Sequence, residues 1–436
     1  MTHRQVMPDG SVLHVEPAAV GLPLVSITVS FQHGGTSDPE GKDGLLRLML
    51  RLLRRGSKRR AANEVDELVD RLGAEVSIEV APTSSTLHAQ VVSRNLDPFV
   101  DLLAELMTTP AFDPTELERL RRETEADLQE ARDSDRGLSN LWFRREVFGA
   151  DPYARSASGR LSSLPSLSLA DIQETFTRVV RKGNVVVGIC GDISPAKAEA
   201  VHHVLLAGLP EGATPAASLP EPTGPRGRSL VFVDKPERTQ TQILVGRLGT
   251  SPHDPDHIAL SLANTAFGGT FTARLMQEIR AKRGWSYGAS ARLAIEKRRH
   301  AFSIWTFPAA EQAAECLALE LSMWQTFHDK GITKKEHGFF KKYLQRSYAF
   351  EIDTAQKRLT QSVDIDLIGL PADYYSGYLA KLASVTKEEA DQAVRDRLDP
   401  KDLVVVVVGT AETTYDAIRA AIPDLGASRI ERFDAD

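Results

Sequence analysis

Apolar and polar positions along this chain follow two periods, a strand period of two residues and a helical period of three to four residues. Short runs that alternate or are rich in β-branched residues predict strands at 11–16, 24–31, 75–80 and 86–92. Stretches of helical period predict helices at 43–55, 63–72, 97–107 and 116–132. The pattern therefore predicts a sheet covered by helices.

The same order of elements returns in the second half of the chain. Thr333 opens a long helix there, as Asp113 does in the first half. Ser168 and Thr386 each cap a helix that leads into an apolar strand and then a glycine. We therefore predict an α+β fold of two homologous halves, each a mainly antiparallel sheet with flanking helices.

A proline-rich interval separates the two halves. Residues 209–229, LPEGATPAASLPEPTGPRGRS, contain five prolines among glycines and alanines. This composition favours an extended chain over a packed one. We therefore expect an amino-terminal αβ domain at 1–208, a linker at 209–229, and a carboxyl-terminal αβ domain at 230–436.

Composition restricts the class of protein. The chain has 436 residues, a formal net charge of −6 and two cysteines. It is long enough for two cores, too acidic overall for a typical nucleic-acid binder, and too poor in cysteine for a disulfide framework. Its first residues, MTHRQVMPDGSV, show no basic start followed by an apolar run, and no segment is long and apolar enough for a membrane span. We expect a cytoplasmic protein, or a periplasmic one if a leader was removed.

The stretch 267–293 carries the most suggestive chemistry. It predicts a helix after a pair of glycines, with Phe271, Leu275 and Ile279 forming an apolar face at every fourth residue. Gly284 ends this helix, and a strand follows. The residues that project from the end of the helix and from the strand are therefore expected to lie on a rigid frame.

Arg280 and Tyr287 are these residues. They offer a guanidinium fork and a phenolic donor, both of which can bind a peptide carbonyl. A purely structural interpretation is also open, in which Arg280 caps helix carbonyls and Tyr287 fills the edge of the strand.

Together with its approach, residues 234–269, this segment resembles the carboxyl-terminal half of the pitrilysin-like (M16) peptidases. In that family a helix arginine is followed seven residues later by a strand tyrosine, as Arg280 is by Tyr287. The resemblance implies two bowl-shaped halves. It also implies that the Arg/Tyr pair binds substrate and stabilises the transition state at a zinc site built by the other half or by a partner subunit.

The resemblance also identifies the place where zinc is expected. The catalytic half of the family carries H-x-x-E-H on its first helix, and the corresponding register here reads Arg47-Leu-Met-Leu50-Arg51. A guanidinium has no lone pair for zinc, and leucine cannot accept a proton from water. We therefore predict a degenerate site that holds no metal and cannot hydrolyse peptides in this way.

Two downstream glutamates match acidic residues of the family. Glu123 and Glu130 lie seven residues apart on the predicted helix at 116–132, where the resemblance implies a supporting acid and the third metal ligand. One hypothesis pairs Arg51, together with Arg47 one turn earlier, with Glu130, so that fixed positive charge replaces zinc. The alternative places both arginines on a solvated basic stripe.

One other arrangement has metal-like spacing, His253-Asp-Pro-Asp256-His257. Pro255 stands inside it, and aspartates are typical of helix starts rather than helix interiors. We therefore interpret this motif as the entry to a helix.

Three functions of different classes fit these features. The chain is a non-catalytic subunit that supplies Arg280 and Tyr287 to a homologous zinc-bearing M16 partner for hydrolysis of peptides or unfolded polypeptides, or it is a structural assembly subunit like the core proteins of respiratory complexes. It could also be a stand-alone peptide-binding protein. Retention of the Arg/Tyr pair favours the first, in which zinc belongs to the partner.

Overall fold

The computed structural model describes residues 2–18 and 21–435. Its strands are, in chain order, β1 (His3–Val6), β2 (Val12–Pro17), β3 (Leu24–Phe31), β4 (Ala74–Val80), β5 (Ser85–Val92), β6 (Val185–Gly191), β7 (Arg228–Asp234), β8 (Gln242–Leu248), β9 (Ala289–Leu293), β10 (Ala301–Thr306), β11 (Leu403–Gly409) and β12 (Leu425–Arg432).

The α-helices of the same residues are α1 (Leu45–Leu53), α2 (Ala62–Arg71), α3 (Leu96–Thr108), α4 (Pro114–Glu130), α5 (Asp135–Phe148), α6 (Leu169–Val179), α7 (Pro195–Leu206), α8 (His257–Asn264), α9 (Ala313–Lys330), α10 (Lys334–Ser347), α11 (Ala355–Asp364), α12 (Tyr378–Ser384), α13 (Lys387–Arg397) and α14 (Ala411–Ala420). Shorter π-helical segments occur at Thr265–Gly269, Met276–Ala281 and Ile365–Gly369.

The strands form two mixed six-stranded sheets of matching topology. Their orders are β1-β2-β6-β3-β5-β4 and β12-β7-β11-β8-β10-β9. Each sheet contains a corresponding parallel pair, β2 with β6 or β7 with β11, followed by an antiparallel neighbour, β3 or β8. The outer strands differ, because β1 runs antiparallel to β2 whereas β12 runs parallel to β7. The predicted α+β fold of two homologous halves is confirmed.

The predicted helix starts are also confirmed. Ser168, Thr333 and Thr386 each form a capping box in which the hydroxyl accepts the amide of the residue three positions later and that residue's carboxylate accepts the cap amide. Local side-chain chemistry therefore fixes these three boundaries.

The chain divides into two compact units. The first contains the stretch that ends at Leu128, together with Arg155–Leu219 and Ala349–Ala372. One face of its sheet packs against α1, α2, α3, α4, α6 and α7 in a single apolar core. The other face packs against α11, whose Leu359 and Val363 contact β2 and β6. A Cβ on Gly188 of β6 would lie 2.9 Å from Val363, so glycine permits this close approach.

The second unit contains Gln129–Ala154, Pro220–Tyr348 and the stretch that begins at Asp373. Trp324 and Phe327 of α9 lie in the core on one face of its sheet. On the other face, α5 packs Trp142 and Phe143 against β7, β8 and β11. A Cβ on Gly246 would lie 2.7 Å from the Phe143 ring.

Each unit thus includes a helix from the other half of the sequence, which periodicity alone does not predict.

Between α7 and β7 the described chain contains no regular helix or strand, and this interval includes most of 209–229. Within 2–18 and 21–435, no helix has both the length and the apolar character needed to cross a membrane.

Candidate functional site

The first helix, α1, is held by a buried carboxylate at its start. Asp38 accepts hydrogen bonds from the amides of Gly44 and Leu46, each at 2.9 Å. Gly44 has a φ of 90°, a left-handed conformation that glycine adopts without strain. Burial raises the pKa of Asp38 to about 7, although these two amides oppose the shift. This cap fixes the start of α1, the helix that carries the segment Arg47-Leu-Met-Leu50-Arg51.

Leu50 and Arg47 occupy two predicted positions of the degenerate metal site. The Leu50 side chain is fully buried and packs in the core of the first unit. Arg47 donates a hydrogen bond of 2.8 Å to the Ser158 hydroxyl, and burial, followed by the charge of Arg51, lowers its pKa. Neither side chain has a lone pair that could bind a metal, and neither can act as a base towards water.

Arg51 has different partners from the predicted Glu130. Its guanidinium donates to Thr124 and Asp127, each at 3.1 Å, and lies 3.7 Å from the Glu123 carboxylate. These partners share one turn of α4, whereas Glu130 is the exposed last residue of the helix and is not among the partners of Arg51. The predicted pairing with Glu130 is therefore not formed, because Arg51 lies against acidic residues one and two turns earlier on α4 and Arg47 bonds to Ser158.

Arg55, two residues after the end of α1, extends this contact. It donates to Glu123 at 2.5 Å and lies 3.9 Å from Glu116. The alternative of a wholly solvated stripe is therefore wrong for Arg51 and Arg55, because both are about one-fifth exposed and ion-paired with α4. Two arginine side chains therefore face the acidic residues of α4 at the predicted position of the degenerate site.

Across residues 2–18 and 21–435, no group of three or more histidine, cysteine or carboxylate side chains is arranged to hold a metal ion. The motif at 253–257 is a helix entry, as predicted. Asp254 accepts the Ser251 amide, Asp256 pairs with Arg397 at 2.8 Å, and α8 begins at His257.

The segment that carries Arg280 differs from its prediction in two ways. Leu275 and Ile279 are fully buried as expected, but Phe271 is 67% exposed because the helical turns begin only after it. Gly284, with a φ of 68°, terminates the segment. Tyr287 lies two residues before β9 rather than within a strand, and it is 79% exposed.

Aromatic rings hold the Arg280 guanidinium in place. Its Cζ atom lies 4.5 Å from the centroid of Phe271 and 5.3 Å from that of Tyr287. At exposed sites, each such cation–π contact contributes roughly 0.5–1 kcal/mol. Two rings therefore favour one position for the guanidinium without neutralising its charge.

Nearby acidic groups do not neutralise Arg280 either. Glu278, two residues before Arg280, is already paired with Lys282 and with Arg283 at 2.8 Å. These contacts lower the pKa of Glu278. Among the described residues, neither the Arg280 guanidinium nor the Tyr287 hydroxyl has a hydrogen-bond partner of its own. Both donors are therefore available to a ligand.

The fold and this chemistry define an αβ protein of metallopeptidase type in which arginine and leucine stand at the predicted metal positions. Residues 21–156 match the insulinase family, peptidase family M16, and residues 166–343 match the peptidase M16 inactive domain. The chain belongs to the M16 peptidase family.

Individual relatives match over most of the chain. The non-peptidase homologue YmxG of Helicobacter pylori is 22% identical over 392 residues, covering 89% of each protein. An uncharacterised zinc protease of Mycobacterium leprae is 26% identical over 322 residues, covering 72% of each. The crystal structure of a peptidase M16 inactive domain from Pseudomonas fluorescens superimposes with a TM-score of 0.86 at 25% identity, covering 94% of this chain and 98% of that one.

The site contains features that sequence reasoning missed. Asp127 of α4 and Arg55, which follows α1, also take part in this contact, and their spacing of four residues from Glu123 and Arg51 could have identified them. Phe271 stacks on Arg280 although it was assigned to the buried face. The position of Phe271, directly after a glycine turn and before the helix, could have indicated that its ring is exposed.

Proposed function

We propose that this chain is the non-catalytic subunit of a heterodimeric M16 zinc peptidase. It supplies Arg280 and Tyr287 to the zinc site of a homologous partner, which carries an intact H-x-x-E-H motif and hydrolyses peptides or unfolded polypeptides. Zinc and the general base belong to the partner.

The observation that carries this proposal is the state of Arg280. Nearby cations, Lys282 and Arg283, are paired with Glu278, yet Arg280 is held between two rings with its donors unused. A purely structural arginine would be expected to use its fork on carbonyls or carboxylates. Exposed aromatic rings next to free donors are instead typical of a binding surface.

The chemistry follows from these donors. When water adds to a peptide carbonyl, negative charge develops on the carbonyl oxygen. A guanidinium N–H and a phenol O–H aimed at that oxygen stabilise the transition state more than the ground state. Neither group can activate water here, so this role requires a base and a metal from elsewhere.

The first unit supports the same proposal. Arg51 and Arg55 fill the surface where the family resemblance places zinc, and Leu50 replaces the base. One relative is itself named a non-peptidase homologue.

Both cysteines are free and buried, which fits a reducing compartment such as the cytoplasm.

The test is to co-express this chain with an M16 chain that carries H-x-x-E-H, first of all one encoded beside it, and to purify the complex. We expect a stable pair with about one zinc, as a single catalytic site requires. We also expect the pair to cleave an unstructured peptide much faster than either chain alone.

A partner that is fully active alone, or a complex that never forms, would contradict the proposal. A stable complex without peptidase activity would favour the structural assembly subunit. Peptide binding by the isolated chain without any partner would favour the stand-alone peptide-binding protein.

A further inference from the structure

A second exposed surface lies on α10, away from the residues used above. Phe339 and Tyr343 are 53% and 44% exposed and lie one turn apart on this helix. Phe340 points the other way and is buried in the core of the second unit. Because the buried face already anchors the helix, the two exposed rings are not needed to hold α10 in place.

Cations surround these rings. Lys335, Lys342 and Arg346 are exposed and, with Phe339 and Tyr343, fall at the spacing of a single helix face. None of the three has an acidic partner within the described residues. We call these five residues the α10 stripe. A row of unpaired cations interleaved with aromatic rings attracts a ligand that carries both negative charge and apolar groups.

Comparison with the corresponding helix of the first unit shows that the stripe is not a general feature of the fold. Counted from the first residue of each helix, Phe339 and Tyr343 occupy the sixth and tenth positions, which are Arg119 and Glu123 on α4. On α4 these positions are polar, and Glu123 pairs with Arg55, which lies just after α1. The same positions on α10 are aromatic and exposed.

We propose that the α10 stripe binds an extended acidic segment of polypeptide that also carries aromatic or aliphatic side chains. From Lys335 to Arg346 the helix rises about 16 Å, which matches about five residues of extended chain. Alternating carboxylates and apolar side chains on such a segment meet the cations and the rings in turn.

A polypeptide is favoured over a nucleic acid because the whole chain carries a net charge of −6. That charge opposes the approach of a polyanion, whose charge is far denser than that of a peptide. The proposal goes beyond the subunit function, since this binding requires neither a zinc-bearing partner nor Arg280. It can therefore fail while the subunit function stands, and the reverse also holds.

The test uses the isolated full chain and a fluorescein-labelled peptide of about ten residues, in which glutamate alternates with phenylalanine or leucine. A matched peptide has lysine in place of glutamate. Fluorescence anisotropy is expected to show binding of the glutamate peptide that weakens with added salt, and no binding of the lysine peptide.

The first variant is Lys335→Gln with Lys342→Gln, which leaves the core untouched. Removing two exposed charge contacts should raise Kd by about 2-fold to 30-fold. The matched control, Lys58→Gln with Arg59→Gln, removes two exposed cations elsewhere and should leave Kd unchanged. Phe339→Ala should also weaken binding, with the thermal melt used to confirm that it folds.

Several results would overturn the proposal. These are equal binding of the two peptides, an unchanged Kd in the lysine double variant, or tighter stripe-dependent binding of a thymidine oligonucleotide. A concentration-dependent dimer that the double variant abolishes would instead assign the stripe to a second copy of this chain.

Discussion

Glu320 makes the stability of the second unit depend on pH in a direction opposite to that of most carboxylates. Its side chain is fully buried on α9, where Thr306 donates to one oxygen and the Cys316 sulfur lies 3.5 Å away. The other oxygen has no hydrogen-bond partner in the described structure. Burial raises the pKa of Glu320 to about 7. We predict that Glu320→Gln removes this pH dependence.

The size of this effect on the free energy of unfolding follows from the difference between the folded and unfolded pKa of Glu320. Because the folded pKa lies above the unfolded value of about 4.3, the neutral acid stabilises the fold fully below pH 4.3. This stabilisation is lost as the pH rises towards 7, since only the unfolded chain ionises in that window. A pKa difference of between two and three units corresponds to roughly 3 kcal/mol in the free energy of unfolding.

The assay is urea unfolding followed by tryptophan fluorescence. All four tryptophans lie in the second unit, so the signal reports that unit alone. Asp38 also has a pKa raised to about 7, but it belongs to the first unit. We expect Glu320→Gln to gain stability relative to wild type between pH 5 and 8. A difference that stays constant with pH would refute the argument.

Three further predictions concern metal, linker and packing. The isolated chain should contain little zinc after dialysis, and elemental analysis that finds about one zinc per chain would contradict the degenerate site. Limited proteolysis should first cut within the proposed linker, 209–229, since extended chain fits a protease cleft, and first cuts inside a helix would argue against that domain division. Gly246→Ala should destabilise the second unit by about 1–3 kcal/mol in urea, since its Cβ would clash with the Phe302 carbonyl oxygen and the Phe143 ring, whereas Gly338→Ala, which meets nothing within 4 Å, should not destabilise it.

The sequence predicted those parts of the fold that local chemistry determines. Strand 24–31 matches β3, and the capping boxes at Ser168, Thr333 and Thr386 mark true helix starts. Period and capping are properties of neighbouring residues, so a single sequence reveals them. The repeated order of elements then gave the two halves.

The packing of α5 and α11 could not be predicted in the same way. Each helix packs on a sheet formed by the other half of the sequence, and the glycines that permit this, Gly188 and Gly246, look like ordinary strand interruptions. Which surface a helix covers depends on tertiary contacts that periodicity does not encode.

The candidate site shows the same division. The prediction that Arg47, Leu50 and Arg51 cannot hold zinc rests on residue type alone, so it needs no knowledge of the fold, and it stays a prediction. The acidic partners of Arg51 and the stacking of Phe271 on Arg280 depend on which turn of one element faces another. The predicted pair of Arg51 with Glu130 is not formed, because Arg51 faces Asp127 and Glu123, one and two turns earlier on α4.

The most direct test of the central claim compares Arg280→Ala and Tyr287→Phe in the reconstituted pair. Neither residue is a metal ligand or part of the core, so folding, pairing and zinc content should be unchanged. Losing one donor to the developing oxyanion typically lowers turnover by about 100-fold to 1,000-fold, or roughly 3 to 4 kcal/mol. The matched control is Arg283→Ala, which removes a neighbouring cation already paired with Glu278.

Steady-state peptide cleavage at matched zinc content is the measurement. The account predicts that Arg280→Ala and Tyr287→Phe each lose turnover by at least about 100-fold, while Arg283→Ala stays near wild type. If both site variants retain near-full turnover and substrate affinity, Arg280 and Tyr287 are structural, and the chain is an assembly subunit.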